Sequence, residues 1–294
     1  ELYLEHGFLK AGMQLLVSEA SSSWMGVKAD EPLPTIDTII IAGSALTETG
    51  SGTFSMLLVA DGLQPTGITR IKADPHGLVT ALGGIARQSA EAVVQMIEGP
   101  ALETVGTLIS VDGYPQKDRP AIFLRITTDS GERVNQTIMG GQVLALPLPV
   151  GYKLKVRIRT ARGLRIGGRR RQTVTLEGGT GGLLFDARGR KLVVGNTPEE
   201  RAEAFPQWLA EVTETEIMPI PDRWLVPPDA PELELAEADV NNSDAFFDLA
   251  SGDEIVQDID ELFADLDDED DDLLDPIDKK EDEEDELGSL RDLL

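Results

Sequence analysis

The chain has 294 residues and no cysteine, which is enough for about two domains and excludes disulfides and thiolate metal sites. Its formal net charge is -27, but residues 231–294 hold 27 acids against Lys279, Lys280 and Arg291, whereas residues 1–230 hold 26 acids and 23 bases. No apolar run reaches the roughly 18 to 20 residues of a membrane span, and the N-terminus lacks a secretory leader's layout.

Residues 1–30 read as a helix with a loose apolar stripe of Leu4, Phe8, Leu15 and Leu16, followed by a Ser-rich turn and stopped by Pro32 and Pro34. The β-branched run Ile36–Ala42 reads as a buried strand. It leads directly into Gly43-Ser44-Ala45-Leu46 and a polar, Gly-rich loop, Thr47 to Gly52. A helix over 53–62 and a short strand over Ile68–Ala73 follow. Asp74-Pro75 then marks a helix start, with Asp74 as the cap and Pro75 in the first turn, and the helix is expected to run to about Met96. The pair Gly83-Gly84 lies inside it, where each glycine costs about 1 kcal/mol relative to alanine. That cost predicts close approach of a backbone or a ligand.

Gly99-Pro100 separates this unit from a region dense in short strands: 105–111, 121–128, 134–139, 143–146, 153–160, 172–177, 182–186 and 191–194. Asp129-Ser130-Gly131 and Asp186-Ala187-Arg188-Gly189 read as turns. Spacing of this kind predicts an all-β barrel or sandwich. A closing helix covers 198–213, with Ala204, Phe205, Trp208, Leu209 and Val212 on one face. The expected organisation is therefore an α/β unit over 1–98, a β-rich domain over 101–213, a Pro-rich linker over 214–230 and a disordered acidic tail over 231–294. Within the tail, Ile255, Ile259, Leu262, Phe263 and Leu266 fall at helical spacing and suit docking into a partner's groove; a transient helix without a partner fits equally.

The block from Ile39 to Arg87 is the most informative: strand, small-residue turn, loop, helix, strand, Asp-Pro, and a helix with Ala-Leu-Gly-Gly. Small residues at a strand end let a planar base and ribose approach the backbone. This order resembles the last segment of the actin, sugar kinase and Hsp70 superfamily. More narrowly, the stretch IDTIIIAGSALTETGSGTFSMLLVADGLQPTGITRIKADPHGLVTALGGIA looks like the C-terminal part of the glutamate mutase L, or methylaspartate mutase accessory, family. VVQMIEGPALETVGTLISVDGYP, VLALPLPVG and GGLLFDARGRKL look similar to a β-rich extension found in some members, so the likeness spans roughly residues 1–213.

The resemblance implies the C-terminal part of an actin-like ATPase lobe, with ATP and magnesium as ligands of the intact protein. It places the family's Gly-Gly turn on Gly43-Ser44, with Ala45 beside it, and the small-residue run on Ala81 to Gly84. Ser44 stands where the family has its second glycine. The sequence's one Asp-x-Gly, Asp129-Ser130-Gly131, is read as a hairpin turn and not as either of the superfamily's phosphate motifs. The sequence opens on Glu1 rather than Met and reads as a fragment, so those motifs are expected upstream and ATP hydrolysis is not expected of this piece alone. The implied role is an accessory or chaperone-like factor for a protein client, a cobalamin-dependent mutase. The competing role is a non-enzymatic scaffold that docks partners through the acidic tail.

Residues 153–171 carry nine bases. Lys153, Lys155, Arg157 and Arg159 alternate with Leu154, Val156 and Ile158 and so share one strand face. No aromatic residue interleaves within the segment for base stacking, which favours a solvated sheet face, and nucleic acid is not expected as a partner. The acidic tail screening that face is a third reading. His6 and His76 lack a ligand set, Asp267–Asp272 lacks the spacing of a calcium loop, and Trp24, Trp208 and Trp224 read as packing residues. With no cysteine to oxidise, the composition fits a reducing cytoplasm.

Overall fold

The computed structural model describes residues 2–24, 33–99, 101–127, 133–192, 197–213 and 217–220. The acidic tail, Trp224, the Asp129–Gly131 turn, the end of the strand expected at 191–194 and nearly all of the linker lie outside these residues.

The fold is mixed α/β, with two sheets and six helices among the described residues. Helix α1 (Leu2–Ala20) is followed by the short strands β1 (Leu33–Thr35) and β2 (Thr38–Ala42), the one-turn helix α2 (Ser44–Thr47), helix α3 (Gly52–Gly62) and strand β3 (Pro65–Asp74). Helices α4 (Leu78–Ile85) and α5 (Ala90–Glu98) then lead to β4 (Glu103–Ser110), β5 (Pro120–Thr127), β6 (Arg133–Met139), β7 (Val143–Leu146), β8 (Lys153–Thr160), β9 (Arg171–Glu177), β10 (Gly182–Asp186) and α6 (Pro198–Thr213).

The six-stranded sheet runs from β1 and β2, which flank the two ends of β3, through β4 and β10 to β7. β2 and β3 are parallel, with Thr38 opposite Arg70 and Ala42 opposite Asp74, so α3 is the crossover of a β–α–β unit. β4 then pairs antiparallel with β3. The break expected at Gly99-Pro100 thus lies between two neighbours of one sheet. The other strands form a four-stranded antiparallel sheet in the order β6-β5-β8-β9.

The expected barrel or sandwich domain is not what these strands build. β4, β7 and β10 join the N-terminal strands, and β4 and β10 are covered on both faces. Leu108 and Leu184 face a core shared with Phe54, Leu57, Leu58, Trp208 and Leu209. Ile109, Leu183 and Phe185 face a second core shared with Ile122, Leu124, Val156, Ile158 and Leu176 of the other sheet. Covered strands show continuous apolar runs rather than alternation, as in Leu183-Leu184-Phe185. The result is three layers: helices, the mixed sheet and the antiparallel sheet.

α3 is buried from Phe54 to Gly62 because the sheet lies on one side and α1 and α6 on the others; a helix apolar all round belongs in a core. Ser51 caps it, its hydroxyl accepting from Phe54 N–H at 3.3 Å and donating to Val212 C=O at 3.0 Å. α1 does not pack through its expected stripe. Leu4, Phe8, Leu15 and Leu16 face outward, Phe8 at 80% exposure. The inner face instead uses Leu2, Tyr3, Leu9 and Met13 around the buried His6. A 3.6-residue period admits both stripes, and the outer one is the more apolar by sequence.

Candidate functional site

Gly43 ends β2 with φ 87° and ψ 140°, a conformation that favours glycine. The chain turns there into α2: Gly43 C=O accepts from the N–H groups of Leu46 and Thr47, both at 3.0 Å, and from the Thr47 hydroxyl at 3.1 Å. Gly43, Ser44 and Ala45 are all exposed, while Leu46 packs against the helical core beneath them. A Cβ built on Gly43 would meet nothing within 4 Å, so the outer side of the turn is open. Ser55 on α3 donates to Leu46 C=O at 2.9 Å and contacts the Thr49 hydroxyl at 2.7 Å, fixing the loop behind.

Because Ala42 is opposite Asp74, this turn sits beside the chain's exit from β3. In open α/β sheets, ligands bind outside the carboxyl ends of parallel strands, which is the end in question. Asp74 does act as a cap, but for a helix that starts later than expected. Its carboxylate accepts from the N–H groups of Leu78 and Val79, each at 2.8 Å. Backbone donors, Val79 first and then Leu78, His76 and Gly77, outweigh burial and hold it below the usual carboxylate range. Asp74 thereby ties the end of β3 to the first turn of α4.

The rest of the expected site fares differently. The long helix of 75–96 is two helices, α4 and α5, split at Ala86–Ser89. Gly83 and Gly84 are exposed, and a Cβ on either would meet nothing within 4 Å. No backbone approaches them, so the cost of that pair has no packing cause.

The densest set of ionisable side chains lies elsewhere and was not legible as a group. Asp61 is on the buried α3, and its Oδ2 is 2.9 Å from His6 Nε2 of α1. Arg188 Nη2 donates to Asp61 Oδ1 and, at 2.8 Å, to Asp186 Oδ2; Arg188 Nε donates to Asp186 Oδ1 at 2.9 Å. Arg190 Nη2 donates to Asp186 Oδ2 and to the Ser110 hydroxyl, both at 2.9 Å. The Arg188 guanidinium also lies 4.6 Å from the Trp208 ring centroid. All five side chains are buried.

Burial alone would raise the two carboxyl pKa values. Arg188 and His6 overcome it at Asp61, and Arg188 and Arg190 at Asp186, so both are held below the usual range. Conversely, Asp186 and Asp61 overcome the desolvation of Arg188 and keep it charged. Water and substrate have no access, so this cluster ties α1, α3 and the segment after β10 together rather than performing chemistry. Its one sequence signal is Asp61 at the end of the apolar run Phe54–Ala60, since a charge on a buried helix requires a partner.

A cavity of about 210 Å³ opens between β6, β7 and α6, away from the Gly43 turn, lined in part by Gln136, Ile138, Leu144, Gln207, Trp208 and Glu211. It brings together none of the expected residues other than Trp208, and it carries no convergent charge. Trp208 is a packing residue as expected, its indole N–H donating to Gly141 C=O at 2.8 Å, whereas Trp24 is exposed. Among the described residues, no group of three His, Cys, Asp or Glu side chains could hold a metal ion, and no helix is long and apolar enough to cross a membrane. Lys153, Lys155, Arg157 and Arg159 do share the outer face of β8. In comparisons with known proteins, no family profile, no curated protein and no solved structure matches this chain.

Proposed function

We propose that this chain is the C-terminal part of an actin-like ATP-binding accessory factor of the glutamate mutase L type, and that a purine nucleoside lies against Gly43, Ser44 and Ala45. The observation that supports the reading is the turn itself: small, exposed, open on its outer side and placed at the carboxyl end of a parallel β–α–β pair. Ser44 carries the one side-chain hydroxyl of the three and offers a donor to a ribose or an adenine edge. The described residues fit the nucleoside end only. Gly43, Ser44 and Ala45 themselves carry no charged side chain for a magnesium triphosphate, and no hydrolytic step is assigned to this piece.

In this reading the client is a cobalamin-dependent mutase, and the β-rich layer, fused to the nucleoside-binding layer through β3 and β4, is the surface that meets it. The test is thermal denaturation of the full chain with adenosine, ATP and GTP at about millimolar concentration. At a hundredfold excess over the dissociation constant a ligand stabilises by about 2.7 kcal/mol, which raises the midpoint by roughly 5 to 10 °C in a chain of this size. Adenosine and ATP should produce this rise, and Ser44→Trp, on the exposed rim, should remove it without lowering the unliganded midpoint. A midpoint that ignores all three compounds rejects the nucleoside site.

A further inference from the structure

The four-stranded sheet ends on β9, seven residues with no proline, no glycine and an unbroken register against β8. The bonds at the two ends of that pairing show which way each residue faces. Thr160 N–H donates to Arg170 C=O, and Gly178 N–H donates to Tyr152 C=O, both at 2.9 Å. Hydrogen-bonded pairs alternate with non-bonded pairs along an antiparallel ladder. Gln172, Val174 and Leu176 therefore direct their backbone groups to β8, whereas Arg171, Thr173, Thr175 and Glu177 aim theirs away from it. At one end this outer edge meets its own chain, where Glu177 C=O accepts from the Thr107 hydroxyl at 2.7 Å. In the middle, Thr173 and Thr175 face no further strand among the described residues.

Exposed strand edges are usually blunted by shortness, a covering element or proline, and other edges here follow that rule. β1 has three residues. β7 has four, and the N–H of Ala145 is taken by the Glu211 carboxylate of α6 at 3.0 Å. Gln207 and Trp208 of α6 stand beside Gln136–Ile138 of β6. β9 has no such cover among the described residues, and its sequence is its own complement. Turned about a two-fold axis at Val174, the strand sets Val174 opposite Val174 of a second copy, Thr173 opposite Thr175, Gln172 opposite Leu176 and Arg171 opposite Glu177.

From this we infer that β9 is a self-association edge, through which two copies of the chain pair antiparallel about Val174 and join their four-stranded sheets into one of eight strands. The direction of the backbone groups fits this register. Thr173 and Thr175, which oppose each other across the axis, are the residues whose N–H and C=O point outward, so each Thr173–Thr175 pair exchanges two ladder bonds. Val174 then forms a non-bonded pair with its own copy, the kind in which side chains come closest, and it continues the second core, against which it already packs. Threonine pairs and opposite charges are both favourable across strands. Arg171 has contacts within its own chain, to which Glu177 of the second copy adds; the ladder of Thr173 and Thr175 does not depend on it. A two-fold axis uses each β9 once, so association stops at the dimer.

The experiment is sedimentation of the full chain from about 1 to 200 μM, a range that brackets a micromolar dissociation constant. A monomer–dimer equilibrium is expected. Thr175→Pro removes an N–H that β8 does not use, at an edge position where proline is tolerated. It should weaken association at least tenfold, because one ladder bond is lost on each side of the axis, and leave the thermal midpoint of the dilute chain unchanged. The native chain has no cysteine, so Val174→Cys carries a single thiol. Its Cα would lie about 4.5 Å from that of its mate, within disulfide reach, and mild oxidation should give covalent dimers. Gln136→Cys, on β6, should give none. Should Thr175→Pro unfold the chain, the Val174→Cys cross-link decides alone. Association unchanged in a folded Thr175→Pro, cross-linking through Gln136→Cys instead of Val174→Cys, or growth beyond the dimer would each overturn the inference. So would a chain that stays monomeric at 200 μM, in favour of an extended segment of another protein on this edge. Nothing in this test depends on the Gly43 turn.

Discussion

The cluster of His6, Asp61, Asp186, Arg188 and Arg190 and the turn of Gly43, Ser44 and Ala45 are opposites. The first holds the residue types most often found in active sites, and all of them are sealed from water. The second holds no ionisable group and is open to solvent. The proposed nucleoside site is therefore not one marked by ionisable side chains. Charges buried in pairs act as rivets between α1, α3 and β10, whereas a ligand approaching the sheet end meets mainly backbone, with one hydroxyl.

That contrast predicts opposite responses to mutation. Asp186→Asn removes the carboxylate that Arg190 pairs with and leaves Arg188 with Asp61 alone, so one buried positive charge goes uncompensated; this should cost about 3 to 5 kcal/mol, read as a lower urea midpoint. Ser44→Trp should leave that midpoint where it is. If Asp186→Asn unfolds no more readily than the parent, the cluster is not a rivet and the comparison fails.

Acid should act through the same carboxylates. Asp186 and Asp61 have folded pKa values below their unfolded ones. Their stabilisation is therefore complete above the ordinary carboxylate range, near pH 4, and drains away as pH falls through it toward the lower folded values. Urea unfolding at pH 7 and pH 3 should show a loss of a few kcal/mol in the parent and a smaller loss in Asp186→Asn; equal losses would mean that other groups dominate.

Two glycine positions sharpen the distinction between packed and open backbone. A Cβ on Gly181 would lie 2.4 Å from the carbonyl carbon of Gly52, where the entry to β10 crosses the start of α3, so Gly181→Ala should cost about 1 to 3 kcal/mol. Gly83 in α4 has open space around it, and Gly83→Ala should stabilise by about 0.5 to 1 kcal/mol. A destabilised Gly83→Ala would restore the close approach that its position in a helix first suggested.

Much of the local structure was legible. The run Ile36–Ala42, the Asp74 cap, the strand β8 with its basic alternation and the closing helix α6 all lie near their expected places, because each is set by residues close in sequence. What was not legible depends on partners distant in sequence. β4 and β10 read as barrel strands until β3 and the two cores cover them. The outer stripe of α1 outscored the inner one because His6, which belongs inside, is polar until Asp61 meets it. At the Gly43 turn, the sequence indicated small residues after a strand, and the fold added the open side and the parallel neighbour.

The central claim is that a nucleoside rests on the turn after β2. It is tested most directly by backbone and indole NMR of the labelled full chain titrated with adenosine. The account predicts saturable shifts of the Gly43, Ser44 and Ala45 amides, with the Trp208 indole N–H unmoved. Shifts confined to Trp208, beside the cavity between β6, β7 and α6, or no shifts at all, would contradict it.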